Sequence, residues 1–190
     1  MNSIAAHNIV LADAATRGAR YEGPIDAALM PRLTALIAQS KADAVGAQRA
    51  PIEAVGFADI EFSEHRKPRF IGVRGKIEFE CGLVCQRCLE LASVSVSRTL
   101  NLAVCQTSAE DDYLAPVAER FERWDHDEES LLLAGLFEEL ILLELPLVVM
   151  HKDVADCGAL ASDERFASRQ VNTQTPFADL AAMLGSKDNG

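Results

Sequence analysis

The chain contains one tryptophan and lacks an apolar run of clean bilayer-spanning length. The nearest candidate, Leu131 to Met150, is interrupted by Glu138, Glu139, Glu144 and Pro146. Each acid at a bilayer centre would cost roughly 2.5–3.5 kcal/mol, so a buried core segment is expected and no membrane partner. The first twenty residues have no basic start ahead of an apolar stretch, so no secretory signal is expected and the protein is read as cytoplasmic. Also missing are G-x-S-x-G, a phosphate-cradling glycine loop, H-E-x-x-H and a closely spaced Cys/His pair suggesting a nucleophile. The adjacent acids Glu138 and Glu139 point about 100° apart on a helix, poor geometry for a shared acid–base site, and are read as its wet stripe. The expectation is a protein that is not an enzyme and takes no small-molecule substrate. Internal repeats and low-complexity tracts are absent too.

What is present is 190 residues, 49% hydrophobic, enough for one compact domain over residues 1–184 with a loose tail at 185–190. The net charge is −11 and unevenly spread. Residues 1–100 carry 12 Lys/Arg against 11 Asp/Glu, whereas residues 101–190 carry 6 against 18. An acidic second half repels phosphate backbones, so any RNA contact belongs to the first half. There His65, Arg66, Lys67, Arg69, Arg74 and Lys76 cluster, either as a basic patch or as a solvated turn and strand face.

Three of five cysteines, Cys81, Cys85 and Cys88, fall within eight positions, and Cys85-Gln86-Arg87-Cys88 forms a CxxC. An odd cysteine count suits a reducing compartment better than a disulfide framework. A CxxC offers a redox dithiol, half of a zinc site, or two small apolar residues at a strand end. A redox pair needs its first cysteine at a helix start, but Leu89 to Arg98 alternates valine and serine with no helical period. A zinc site needs a second ligand pair, and no second CxxC exists. His151 with Cys157 is the candidate, more widely spaced than usual, with Cys105 or Cys81 as further recruits. Zinc at Cys85, Cys88, His151 and Cys157 therefore stands beside a purely structural CxxC turn with His151 exposed.

Ile9 to Leu11 reads as a short strand, and Arg20 to Pro24 as a turn. A helix is expected over Met30 to Ser40, with Leu29, Leu33, Leu36 and Ile37 on one face and Pro31 in its first turn, followed by a connector over Lys41 to Pro51. From Val55 to Val104 the period is two, broken by a basic turn at Ser63 to Pro68 and by the CxxC, which points to an antiparallel meander. Ser108 to Glu129 is an acidic crossing, and Asp125, Asp127, Glu128 and Glu129 are placed to favour the start of a long buried helix over Ser130 to Leu143. Leu147 to Met150 is β-prone, and Pro176 to Leu184 suits a docking helix. The fold class expected is α+β: an antiparallel meander packed on a long buried helix and shorter terminal helices.

Several separated stretches together resemble a known family. They are Arg20-Tyr21-Glu22-Gly23, the C-x-R-C-L of Cys85 to Leu89, the acidic crossing, Glu139 to Leu147 followed by His151 and Cys157, and Pro176-Phe177-Ala178-Asp179-Leu180. In order and spacing they are similar to the bacterial YceD family, the large ribosomal RNA subunit accumulation proteins, over about residues 10–184. The resemblance implies a cytoplasmic, non-enzymatic factor supporting accumulation or maturation of 23S ribosomal RNA. It implies as partners large-subunit ribosomal RNA or its precursor, ribosomal proteins, or RNA-processing factors. Some members carry a second C-terminal cysteine cluster that makes them look like metal binders; this chain has only His151 and Cys157 there. Arg66, Lys67, Arg69 and Arg87 are the candidate RNA-binding residues. The alternatives are an acidic protein–protein adaptor that never touches RNA and a small zinc-binding protein.

Overall fold

A computed structural model describes residues 3–45, 52–66, 69–105 and 120–160. The expected helix at Pro176 to Leu184 and the tail at 185–190 lie outside the described residues, as do Lys67 and most of the acidic crossing.

Alternating residues build a five-stranded sheet in the order β2 (Arg20–Asp26), β3 (Val55–Arg66), β4 (Arg69–Val84), β5 (Leu91–Cys105) and β6 (Glu122–Asp125). The first four are antiparallel neighbours, and β6 lies parallel to the end of β5. Pairing carries the period-two pattern across the sheet. Phe62, Val73 and Leu102 share one row and Ala58, Ile77 and Arg98 another, both on the inner face. Phe57, Glu78 and Ser97 form a row on the outer face. Phe57 is 44% exposed there while Ala58, Ile60 and Phe62 are sealed, as their alternation requires. Gly75 sits where β3 and β4 approach so closely that a β-carbon would lie 2.0 Å from the Asp59 carbonyl oxygen, at φ +150°.

The inner face is covered by α1 (Leu11–Arg17), α2 (Pro31–Asp43) and α3 (Leu133–Glu144). A two-stranded clip joins the N-terminal segment to α3: β1 (Asn8–Val10) pairs antiparallel with β7 (Ser130–Leu132). Residues that the sequence spaces far apart thus meet in one core, in which Met30, Phe137 and Ile141 are fully buried.

The α+β class and the antiparallel meander are as expected, while several details differ. Arg20 to Pro24 is not a turn but part of β2, where Pro24 is tolerated because the strand lies at the sheet edge. The basic turn is shorter than expected, since β3 runs to Arg66 and β4 resumes at Arg69. The buried stripe of α2 is Leu33 and Ile37 with Met30 before them, leaving Leu29 and Leu36 exposed. The central helix is not long: α3 has 12 residues and starts three positions late, because Ser130 to Leu132 are held as β7. The acids at 125–129 consequently do not cap it; Leu132 is its N-cap and makes no side-chain cap bond. Glu138 is not on a wet stripe either, being 5% exposed. Leu147 to Met150 forms no strand.

Candidate metal centre at the CxxC turn

The β4–β5 connection spans Cys85 to Glu90. It closes with a hydrogen bond from the Cys85 amide to the Glu90 carbonyl (2.8 Å) and another from the Leu89 amide to the Cys85 carbonyl (2.8 Å). Leu89 takes φ +61°, a left-handed conformation that usually belongs to glycine. The segment following α3 folds back onto this turn, where the Gln86 amide donates to the Val149 carbonyl at 2.8 Å. A 3-10 helix at Val154–Leu160 then returns Cys157 toward His151. This short helix overcomes the wide His151–Cys157 spacing.

Cys85, Cys88, His151 and Cys157 each present one ligand atom, and these four atoms all lie within 4.8 Å of one another. His151 Nδ1 is 3.4 Å from Cys88 Sγ and 3.6 Å from Cys157 Sγ. A zinc ion with ordinary Zn–S and Zn–N bonds in tetrahedral geometry would separate such a sulfur and nitrogen by about 3.6 Å. The three cysteines are buried and His151 is half-buried rather than exposed. Its Nε2 lies 3.2 Å from the Leu91 carbonyl, which can only accept, so Nε2 carries the proton and the Nδ1 lone pair faces the sulfurs. The residues present therefore fit a closed Cys3His zinc site.

The surroundings favour thiolate at one position. Burial pushes Cys85 up, but backbone amides of Cys88, Arg87 and His151, with the Cys88 thiol, outweigh it and bring Cys85 down to about 6. Burial instead dominates at Cys88, pushed up to about 11 in the metal-free protein. Arg87, within the CxxC, places its guanidinium 3.7 Å from Cys157 Sγ and 3.5 Å from Met150 Sδ, next to the charge that three thiolates would carry. Neither this role nor that of the Leu91 carbonyl is visible in sequence spacing, because both depend on the return of residues 147–157.

The other cysteines do not join the site. Cys105 is at the far end of β5, with Sγ 3.3 Å from the Ala103 carbonyl, inside a small outer-face cluster with Phe70 and Phe121. Cys81 is buried in the sheet, where burial and then Glu80 push its thiol up to about 11.

The basic residues fall into two separate groups, for Arg66 and Arg69 lie opposite each other in the β3–β4 register while Arg87 stands apart. Arg66 lies at the β3–β4 hairpin end, its side chain 86% exposed and 3.9 Å from Glu64; Arg69 begins β4 and Lys67 lies outside the described residues. Arg87 follows the other end of the 16-residue β4, about 50 Å away at the usual strand rise. Other cations are tied to acids: Arg20 to Asp59 at 2.6 Å, Lys76 to Glu78 at 2.5 Å, and Arg98 to Glu144 at 3.0 Å.

Among the described residues no helix is long and apolar enough to cross a membrane. Neither a curated protein nor a solved structure matches the chain. Residues 73–184, more than half of the chain, match the family described as large ribosomal RNA subunit accumulation protein YceD. That stretch begins in β4 and holds the whole Cys3His cluster, and on this match the chain belongs to the YceD family.

Proposed function

We propose that the protein is a non-enzymatic factor supporting the accumulation or maturation of large-subunit ribosomal RNA, and that Cys85, Cys88, His151 and Cys157 hold a structural zinc ion. The family match supports the first part. The observation that carries the second is the donor set: four protein ligand atoms converge with no position left over for water or substrate. Zinc there would clip the segment after α3 to the β4–β5 turn and neutralise closely spaced thiolates. The fold would present surfaces to ribosomal RNA, ribosomal proteins or processing factors, and the metal would supply rigidity.

The test is depletion of the protein in its native cells, with mature 23S ribosomal RNA quantified against 16S. Depletion is expected to lower the 23S share, wild-type protein to restore it, and a Cys85→Ser/Cys88→Ser variant to restore it poorly. A 23S share indifferent to depletion would remove the reading. For direct RNA contact, charge reversal is made separately at Arg66, Lys67 and Arg69 and at Arg87, because the two groups stand at opposite ends of β4. A folded hairpin variant with unchanged 23S levels would exclude RNA contact at that end.

A further inference from the structure

The two edges of the sheet are treated differently. At β2, Ser3 Oγ donates to the Pro24 carbonyl (3.2 Å) and accepts from the Asp26 amide (2.8 Å), so the N-terminal segment caps that edge at its Pro24 to Asp26 end. At β5, β6 pairs only with Leu102 to Cys105. Among the described residues no strand pairs with the outer side of Leu91 to Asn101.

Hydrogen bonding fixes which groups face outward there. The Cys85 amide bonds the Glu90 carbonyl in the β4–β5 register, and alternation from that pair turns Ala92, Val94, Val96 and Arg98 toward β4. Leu91, Ser93, Ser95, Ser97 and Thr99 turn their amides and carbonyls away. Both ends agree: the Leu91 carbonyl meets His151 Nε2 at 3.2 Å, and the Cys105 carbonyl accepts from the His126 amide at 2.8 Å. Between them lies a row of outward backbone groups carrying short, exposed side chains, without the proline, lysine or bulge that usually blunts an edge.

We propose that Ser93 to Thr99 of β5 accepts an added strand from a partner protein: an extended segment alternating basic and apolar residues. The side chains around the edge select that chemistry. On the outer face, Glu80 pairs with Ser95 and Glu78 with Ser97, and Ser93 Oγ donates to Glu80 at 2.6 Å. Serines are short, so a lysine or arginine on the added strand reaches across them to these glutamates, of which Glu78 already holds Lys76. On the inner face the neighbours are Val94 and Val96, which suit apolar side chains. At the far corner Arg98 is held by Glu122 and Glu144, leaving net negative charge. A second copy of this chain would bring the same glutamates against themselves, in a protein of net charge −11. The proposal adds a partner to the ribosomal RNA reading and rests on it for the setting in which that partner is met.

The test uses the purified full chain and three blocked octapeptides: (Lys-Val)4, (Glu-Val)4 and (Lys-Pro)4. The last keeps the positive charge but cannot form a strand ladder. Binding is measured by calorimetry, and protection of the Ser93, Ser95 and Ser97 amides by hydrogen exchange. (Lys-Val)4 is expected to bind one to one and to protect these amides, with both controls at least tenfold weaker. Ser95→Pro removes only an outward amide, so the fold is expected to persist while affinity falls at least tenfold. Glu78→Gln/Glu80→Gln, which leaves the backbone alone, is expected to weaken binding at least threefold. Equal binding of (Lys-Pro)4, equal binding by folded Ser95→Pro, no binding of (Lys-Val)4, or a dimer that Ser95→Pro splits would overturn the proposal. These readouts need no cells, so their failure is distinct from an unchanged 23S level on depletion.

Discussion

The Glu138 carboxylate on α3 caps the N-terminus of α2 through Arg32. Oε1 accepts from the Arg32 amide at 2.6 Å and from the Leu33 amide at 3.1 Å, while Oε2 takes the Arg32 guanidinium at 2.9 Å. Pro31 at the first helical position has no amide to satisfy, so a single side chain serves the next two free amides of α2. Burial alone would push Glu138 up; the Arg32 side chain, the Leu33 amide and the Arg32 amide outweigh it and hold the carboxyl below its ordinary value.

Glu138→Ala is therefore expected to cost about 2–3 kcal/mol, combining a lost cap with two amides left unsatisfied. Arg32→Ala should cost less than about 1 kcal/mol, because the arginine side chain is 63% exposed and its backbone amide remains. Denaturant unfolding of both variants measures the difference. Equal costs would show that the ion pair, rather than the cap, carries the stabilisation.

The same carboxylate sets a direction with pH. A depressed folded pKa gives stability that is present above the unfolded value and lost as pH falls through the folded one. His65 acts in the same direction for a different reason. It stacks on Phe70 at 4.3 Å, and burial followed by Arg74 lowers its pKa below 6.5. Below about pH 6.5 the unfolded chain takes a proton that folded His65 declines, so stability falls with falling pH. The fall in Tm between pH 7.5 and 5.5 should be smaller in His65→Phe than in the wild type, and the fall that remains includes that of the Cys85 thiolate, held down to about 6.

Zinc content separates the cysteines. Protein purified without chelator is expected to carry about one zinc per chain, retained in Cys81→Ser and Cys105→Ser and lost in Cys85→Ser and Cys88→Ser. Chelation should lower stability by at least about 2 kcal/mol, or roughly 4–8 °C in Tm. Metal analysis with melting curves checks this. A chelator-insensitive Tm would leave the cluster as packed thiols.

Leu89 provides a fourth expectation. Its left-handed backbone costs about 1–2 kcal/mol, which glycine avoids at the expense of some unfolded-state entropy. Leu89 is 49% exposed, so little packing is lost, and Leu89→Gly should be neutral or stabilising by about 1 kcal/mol in thermal unfolding. A clear drop in Tm would mean that the exposed leucine is held by contacts beyond its own turn.

What could be read from the residues follows the range of the interactions involved. Val55 to Val104 was legible because alternation is a local signal and the meander joins neighbours in sequence. β2 was hidden by Gly23-Pro24, a turn signal whose meaning changes once the strand is known to lie at an edge. β6 and β7 are three or four residues long and exist only through distant partners, as does the burial of Glu138. At the site, Cys85 and Cys88 are marked by their spacing, and His151 with Cys157 is a candidate pair in the sequence whose wide spacing only the fold-back after α3 closes. Charge balance between the two halves of the chain groups Arg87 with Arg66 and Arg69, but it carries no information on distance, and the extended β4 holds them apart.

The β1–β7 clip has a consequence for synthesis. Asn8 lies opposite Leu132, so β1 waits for β7, which is made long after it. At about 5–20 residues per second that interval is roughly 6–25 s, during which β2 to β5 can pair from chain already available. The meander is thus free to form ahead of the N-terminal segment. A nascent chain stalled before residue 130 would hold Ile9, buried in the finished fold, in a strand with no partner.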